Sequence, residues 1–99
     1  MAPEFEWDGT KAKQNLKDHG VTFGEALTVF ADPLAKIFDD PDHSDDERHE
    51  LIIGHSAQGR LLIVSFTERG RRTRIISARK TTKRERRDYE KNVKEQAST

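Results

Sequence analysis

The sequence predicts an α+β domain with two N-terminal helices, a four-stranded antiparallel sheet and a C-terminal helix. Two early segments carry helix-capping residues, four apolar runs are separated by turns, and the last polar segment opens with another cap. The 99 residues suit a single domain, for which we predict residues 5–96. Since only 32% of the residues are hydrophobic and 36% are charged, we expect a thin core.

The first helix is predicted from residue 9 to about residue 18. Asp8 is a favourable N-cap residue, and Gly20 supplies a left-handed stop. Ala12 and Leu16 lie four residues apart, so they should form the stripe that faces the core.

The second helix is predicted to begin after Thr22. Thr22 and Glu25 have the spacing of a capping box, in which each side chain accepts a bond from the other residue's backbone N–H. Apolar residues follow between 26 and 30, and the pair Asp32-Pro33 ends the helix.

Four strands are predicted at residues 34–38, 50–55, 60–67 and 72–79. An acidic loop separates the first two, and short turns connect the others, which favours an antiparallel meander. Residues 5–7 alternate in polarity and are a further candidate for an edge strand.

The last helix is predicted from Thr82 to about residue 96. Thr82 and Glu85 repeat the capping-box spacing. Tyr89, Val93 and Ala97 are its apolar positions, so this polar helix should dock through few contacts and the aliphatic stems of its Arg and Lys residues.

The net charge of zero conceals a strong polarity along the chain. Residues 1–50 contain 5 Lys/Arg and 13 Asp/Glu, a net charge of −8, and residues 51–99 contain 13 and 5, a net charge of +8. A basic half of this kind is typical of proteins that bind polyanions. The alternative is a solvated surface whose two halves neutralise each other in the fold.

The strand at 72–79 and the helix after it hold the residues best suited to phosphate chemistry. Regular alternation puts 72, 74, 76 and 78 on one face and 73, 75, 77 and 79 on the other. RNA is cut when its own 2′-hydroxyl attacks the adjacent phosphorus, so a protein must move two protons and stabilise added negative charge. Arginine suits the second task because its planar guanidinium binds two phosphate oxygens and keeps its charge.

The arginine candidates for the phosphate are Arg69, Arg74, Arg79 and Arg84, and the candidate proton carriers are His55, Glu68, Glu85 and Tyr89. The residues predicted to bind RNA are Arg69, Arg74, Arg87 and Lys83. Three alternatives stay open: a solvated basic face for Arg79 and Arg84, a core anchor for Tyr89, and a buried, hydrogen-bonded serine for Ser77.

The sequence lacks the residues that thiol chemistry, cofactor binding and metal binding require. There is no cysteine for a disulfide or thiolate, and no Gly-rich phosphate loop or zinc spacing, so no cofactor is predicted. His49 and His55 lack a third ligand, and the acidic loop lacks the calcium-loop pattern, so no metal is predicted. The N-terminus does not resemble a signal peptide, and the longest apolar run, 61–64, is too short to cross a bilayer, which predicts a cytoplasmic protein without membrane contact.

Two groups of residues resemble the BrnT toxin family. The first comprises residues 5–8, Lys11, Asn15, residues 17–21, Phe23, residues 25–26 and residues 30–33. The second comprises residues 47–48, 53–54, 59–60, 74–79 and 82–86. Arg-Ile-Ile-Ser-Ala-Arg at 74–79, followed by Arg-Glu-Arg at 84–86, is the most specific part, and the resemblance spans about residues 5–91.

This resemblance implies a bacterial toxin of a type II toxin–antitoxin pair, with a RelE-like fold and RNA-cleaving activity. It also implies a BrnA antitoxin with a ribbon-helix-helix segment, an expected heterotetramer of toxin and antitoxin, and operator DNA contacted only through that complex. The catalytic positions it implies are Arg79, Arg84 and Tyr89, followed by Ser77 and Glu68. Two other functions use the same basic half: a non-catalytic nucleic-acid-binding module and a protein-interaction domain.

Overall fold

The computed structural model describes residues 4–40 and 48–97 and has an α+β fold. The helices are α1 (Gly9–His19), α2 (Phe23–Thr28) and α3 (Lys83–Ala97), and a 3₁₀ turn (Val29–Ala31) follows α2. The strands are β1 (Glu4–Glu6), β2 (Lys36–Asp39), β3 (Glu50–His55), β4 (Leu61–Arg69) and β5 (Arg72–Lys80). The acidic loop predicted between the first two strands falls largely outside the described residues. No helix in the described part of the chain has the length and apolar content needed to cross a membrane.

The sheet is mixed and has five strands, in the order β1-β5-β4-β3-β2. The predicted meander is present as β2 to β5, but β1 adds a fifth strand parallel to β5. The prediction of a four-stranded, purely antiparallel sheet is therefore wrong at this edge. Charge favours the added strand, because Glu4 and Glu6 carboxylates lie 3.6 and 3.7 Å from the Arg72 guanidinium.

The N-terminal helical region also differs in detail from the prediction. The second helix has only six α-helical residues and continues as the 3₁₀ turn. Asp32 follows this turn, and its Oδ1 accepts a bond from the Leu34 N–H, so the chain leaves the helical region at the predicted position.

A β-bulge interrupts the pairing of β4 with β5. Ile75 pairs with Phe66, but Ser77 pairs with Ser65, which leaves Ile76 as the extra residue. A shift of one residue moves every later side chain of a strand to the opposite face.

The bulge decides which β5 side chains share a face. Ile75 and Ala78, three residues apart, both lie in the core under α1 and α2. Ile76, Ser77 and Arg79 line a cleft away from that core. The predicted alternation is confirmed in that 77 and 79 share a face, but it is wrong in grouping 75 with them and 76 with 78.

The larger core lies between the sheet and the N-terminal helices. Its fully buried residues include Phe23, Leu62, Val64 and Phe66. The prediction that Leu16 faces this core is wrong, since 48% of Leu16 is exposed, whereas Asn15 is only 6% exposed.

A second, smaller core lies under α3. Tyr89 packs there with Ile53, Leu61 and Ile63, and Val93 covers its margin. The predicted docking of α3 through a few apolar residues is borne out for these two positions, while the Ala97 side chain is outside the described set.

The predicted caps of α1 and α3 are present, and that of α2 is half formed. The Asp8 carboxylate accepts bonds from the Thr10 and Lys11 N–H groups, and Gly20 adopts φ 68° at the other end of α1. Thr22 caps α2 by accepting a bond from the Glu25 N–H at 3.0 Å.

The Glu25 carboxylate is directed elsewhere, toward the β3–β4 turn. It accepts bonds from Arg60 Nε at 2.8 Å and from Ser56 Oγ at 2.7 Å, and Arg60 Nη2 donates to its second oxygen. These bonds hold the pKa of Glu25 below its ordinary value, with the Arg60 contact as the main cause. Glu25 therefore forms a buried ion pair that joins α2 to the sheet, and it does not complete a capping box.

Candidate active site

A polar cleft of about 340 Å³ opens on the sheet away from α1 and α2. It is lined by Asp40, His49, Leu51, Ile63, Ser65, Ile76, Ser77 and Arg79. The cleft thus gathers a guanidinium, an imidazole, a carboxylate and two hydroxyls over an apolar floor. Such groups can bind a phosphate and exchange protons with a bound molecule.

Four segments position these side chains. The β5 bulge turns Ser77 and Arg79 to the cleft side, and Ser65 lies opposite Ser77 on β4. Asp40 follows β2 and His49 precedes β3, and the Asp40 N–H donates to the His49 carbonyl at 3.1 Å. This backbone hydrogen bond therefore holds Asp40 and His49 next to each other on one side of the cleft.

Arg79 forms a bidentate ion pair with Glu85 in the first turn of α3. Its Nη1 donates to Oε1 at 2.8 Å and its Nη2 donates to Oε2 at 2.9 Å. The Arg79 side chain is still 42% exposed. The guanidinium can therefore meet a ligand in the cleft while Glu85 fixes its orientation.

Glu85 is itself fixed by the complete capping box of α3. Its Oε1 accepts a bond from the Thr82 N–H at 2.8 Å, and its own N–H donates to Thr82 Oγ1 at 3.1 Å. The Arg79 bonds, followed by the Thr82 bonds, lower the pKa of Glu85 to about 2. Glu85 is consequently an anion at neutral pH and a poor proton donor.

Tyr89 follows Glu85 by about one turn of α3 and lies in the smaller core. It is 4% exposed, and its hydroxyl donates to the Leu34 carbonyl at 3.3 Å. Burial, and secondarily the charge of Asp32, raise the pKa of Tyr89 above its ordinary value. These contacts favour the core-anchor interpretation over proton transfer by a phenolate.

The other predicted residues are distributed over two further surfaces. Lys83, Arg84 and Arg87 are exposed on α3, where Lys83 and Arg87 border a shallow groove with Arg86 and Glu90. Glu68 and Arg69 lie at the end of β4, opposite Thr73 and Arg72 of β5.

Glu68 is therefore distant from Arg79. It is paired with a β5 residue six positions before Arg79, about 20 Å along the strand. Arg74, 28% exposed, lies near this end and faces the Glu6 carboxylate at 3.8 Å. The structure thus brings Ser77 and Arg79 together and leaves Glu68, Arg69 and Arg74 at the other end of the same hairpin.

His49 and Asp40 are cleft residues that the sequence analysis did not select. In the sequence, His49 gives only a weak metal signal together with His55. The structure separates the two, since the His55 ring contacts Tyr89 at 5.8 Å between centroids. Across residues 4–40 and 48–97, no group of three potential metal ligands occurs. The sequence does contain one signal for His49. It lies two residues before Leu51, so an extended chain puts both side chains on the same face, and both line this cleft.

Comparison with known proteins identifies both a family and a fold. Residues 7–85 match the family described as the ribonuclease toxin, BrnT, of type II toxin–antitoxin systems. The fold is similar to that of the Brucella abortus ribonuclease toxin BrnT, with a TM-score of 0.64 at 21% identity over 83% of this chain and 100% of that one. No curated protein sequence matches the chain.

Proposed function

The chain belongs to the BrnT family of ribonuclease toxins of type II toxin–antitoxin systems, and from this premise we propose that it is a metal-independent endoribonuclease whose active site is the Arg79 cleft. In the reaction the 2′-oxygen of the RNA bonds to the adjacent phosphorus, and the bond to the 5′-oxygen breaks. One proton leaves the 2′-hydroxyl and another reaches the 5′-oxygen. The products are a 2′,3′-cyclic phosphate and a 5′-hydroxyl.

The observation that carries this proposal is the placement of Arg79. Its guanidinium is held by Glu85, remains 42% exposed, and lines the same cleft as Ser77 and His49. A fixed cation stabilises the charge that develops on the phosphorane without reorganising during the reaction. The Ser77 hydroxyl is suited to donate a further bond to a phosphate oxygen.

His49 is the residue we assign to proton transfer from the 2′-hydroxyl. Histidine is the side chain that most often acts as a general acid or base in enzymes. Glu85, with a pKa of about 2, is too weak a base, and the buried Tyr89 hydroxyl is engaged with Leu34. His49 also lies in the cleft with Arg79, as a base acting on the same nucleotide must.

The exposed cations supply the binding surface for the rest of the RNA. Lys83, Arg84 and Arg87 lie on the helix that Glu85 ties to the cleft, so a strand bound at Arg79 can continue along α3. Arg69 and Arg74 extend the basic surface along the hairpin in the other direction. Phosphate contacts of this kind give affinity without sequence preference.

The antitoxin is assigned to the same surface. A BrnA-type partner with a ribbon-helix-helix segment would neutralise the toxin by covering part of the arginine surface, in a heterotetramer that contacts operator DNA through the antitoxin. The basic half favours an acidic segment in that partner. The site of action is the bacterial cytoplasm, where RNA and the antitoxin are both present.

Cleavage of RNA by the purified chain in EDTA, free of antitoxin, tests the proposal. The wild-type protein should yield fragments with cyclic phosphate ends. Arg79→Ala should yield none while keeping the wild-type circular dichroism spectrum. Intact RNA with salt-sensitive binding would instead identify a non-catalytic binding module, and intact RNA without binding would identify a protein-interaction domain.

A further inference from the structure

The outer edge of β5 changes its hydrogen-bond partner part of the way along the strand. β1 pairs with β5 only from Arg72 to Arg74. Farther along, the side chain of Asn15 on α1 takes over this edge. Its Nδ2 donates to the Ala78 carbonyl at 2.8 Å, and its Oδ1 accepts a bond from the Ala78 N–H at 3.1 Å. One side-chain amide therefore satisfies both backbone groups of Ala78, as a paired strand would.

The same side-chain amide also binds the backbone just after α1. Asn15 Nδ2 also donates to the Val21 carbonyl at 2.9 Å, beyond the left-handed end of α1. Asn15 is 6% exposed and Ala78 is 1% exposed, so water does not compete for these bonds. Buried hydrogen bonds in a water-excluded site hold their groups firmly and are costly to break.

Asn15 binds Ala78, which lies between the two cleft residues Ser77 and Arg79 of β5. Ser77 and Arg79 flank Ala78, and the bulge at Ile76 comes immediately before them. A bulge locally disrupts the ladder and redirects side chains. The strand therefore needs an anchor at this point if Ser77 and Arg79 are to keep one direction.

We propose that Asn15 is a positioning residue for RNA cleavage, which acts through the Ala78 backbone to orient Arg79 and Ser77 in the cleft. The inference rests on the proposed function, in which Arg79 stabilises the reacting phosphate. Asn15 contacts no substrate, because its amide is buried on the opposite side of the strand from the cleft. A displacement of about 1 Å at a reacting group can lower a rate by about 10²-fold.

Asn15→Asp is the main test variant. Aspartate keeps an oxygen for the Ala78 N–H and loses the donor to the Ala78 and Val21 carbonyls. Cleavage in EDTA should show kcat lowered by about 10-fold or more with KM changed less than about twofold. Ile52→Val, a buried change in the same core away from β5, is the control for a general loss of stability and should leave kcat near wild type.

A double-mutant comparison separates positioning from support of the fold. If Asn15 acts through Arg79, Asn15→Asp should lower kcat much less in an Arg79→Lys background than in the wild type. Equal losses in both backgrounds would overturn the inference. Should Asn15→Asp unfold, Asn15→Gln, which keeps the amide and displaces it by one methylene, gives the same comparison.

Nuclear magnetic resonance provides a readout that does not depend on activity. In Asn15→Asp, the backbone amides of residues 77–79 and the Arg79 Nε–H should shift, and the Ala78 amide should exchange faster with solvent. Unchanged signals at these positions would overturn the inference even if the wild type cleaves RNA. If the wild type does not cleave RNA and the signals do shift, the proposed function fails while the anchoring of Arg79 stands.

Discussion

Arg79 and Glu85 face each other through both pairs of terminal atoms, at 2.8 Å between Nη1 and Oε1 and 2.9 Å between Nη2 and Oε2. The pair joins the end of β5, which lines the polar cleft, to the first turn of α3. It also explains why the capping box matters to the site, since Thr82 holds the carboxylate that holds the guanidinium. An RNA phosphate therefore meets a guanidinium whose direction is already set.

Arg79→Lys should lower RNA cleavage by about 10²–10³-fold with little change in RNA affinity. Lysine keeps the positive charge and loses the planar, bidentate geometry, so it cannot bind Glu85 and a phosphate in fixed directions. Single-turnover cleavage rates, with binding measured separately, test this expectation.

Arg72→Lys is the matched control for that substitution. Arg72 lies on the same strand, 62% exposed, near the carboxylates of Glu4 and Glu6. This variant should cleave RNA at close to the wild-type rate. Equal activity of Arg79→Lys and Arg72→Lys would remove Arg79 from the active site.

Acid should destabilise the wild type more than Glu85→Gln. The folded-state pKa of Glu85 is about 2, below the ordinary 4.5, so its contribution to stability is present above about pH 5 and is lost as the pH falls toward 2. Because the pair is partly exposed, we expect about 1–2 kcal/mol rather than the full shift. Urea unfolding at pH 7 and pH 3 gives the difference, and parallel losses in the two proteins would contradict it.

Much of the fold follows from local signals in the sequence. Asp8 and Gly20 bound α1, Thr82 and Glu85 cap α3, and the apolar runs locate β3, β4 and β5. These features depend on neighbours a few residues apart, which a sequence displays directly. The parallel β1–β5 pair was missed because nothing local specifies which strand a three-residue segment joins.

The site was less predictable because it depends on long-range register. Alternation alone places Ser77 with Arg79, but the bulge at Ile76 separates both from Ile75, and strict alternation cannot anticipate that separation. Local sequence gives no sign of the role of Asn15, since its partner Ala78 is 63 residues away. The sequence of α3 fits two interpretations of Tyr89, and the bond from its hydroxyl to the Leu34 carbonyl favours the core anchor.

Arg60→Ala should destabilise the protein by about 3 kcal/mol. The substitution leaves Glu25, whose side chain is 2% exposed, as a buried carboxylate whose one remaining side-chain donor among the described residues is Ser56. For a chain of this size the melting temperature should fall by about 10 °C or more. Arg48→Ala is the control, because its pair with Asp39 is exposed and should contribute less than about 1 kcal/mol. Similar melting temperatures for the two variants would refute the role of the buried Glu25–Arg60 ion pair in stabilising the fold.

Arg87→Gln should weaken RNA binding and reduce its dependence on salt. Each lost phosphate contact on a single strand lowers the slope of log K against log salt by about 0.7. Lys17→Gln, in the last turn of α1 within the acidic half of the chain, should change neither quantity. The measurement is fluorescence anisotropy of a labelled RNA across a salt series, in the Arg79→Ala background so that the RNA stays intact. An equal effect of both substitutions would mean that binding follows total charge and not the α3 surface.

His49→Ala should lower kcat for RNA cleavage by about 10²-fold or more, because a positioned general base contributes about 10²–10⁴-fold. Binding of the RNA should change little, so cleavage rates in EDTA with binding measured separately should place the loss in kcat and not in KM. The charged groups lining the same cleft are Asp40 and Arg79, and Arg79 keeps its charge because the Glu85 bonds raise its pKa.

His55→Ala is the control for the histidine assignment, since the His55 ring packs beside Tyr89 and lies outside the cleft lining. It should cleave RNA at close to the wild-type rate. A His49→Ala protein with wild-type activity would exclude His49 as the base, and equal losses in His49→Ala and His55→Ala would remove the distinction between the two histidines.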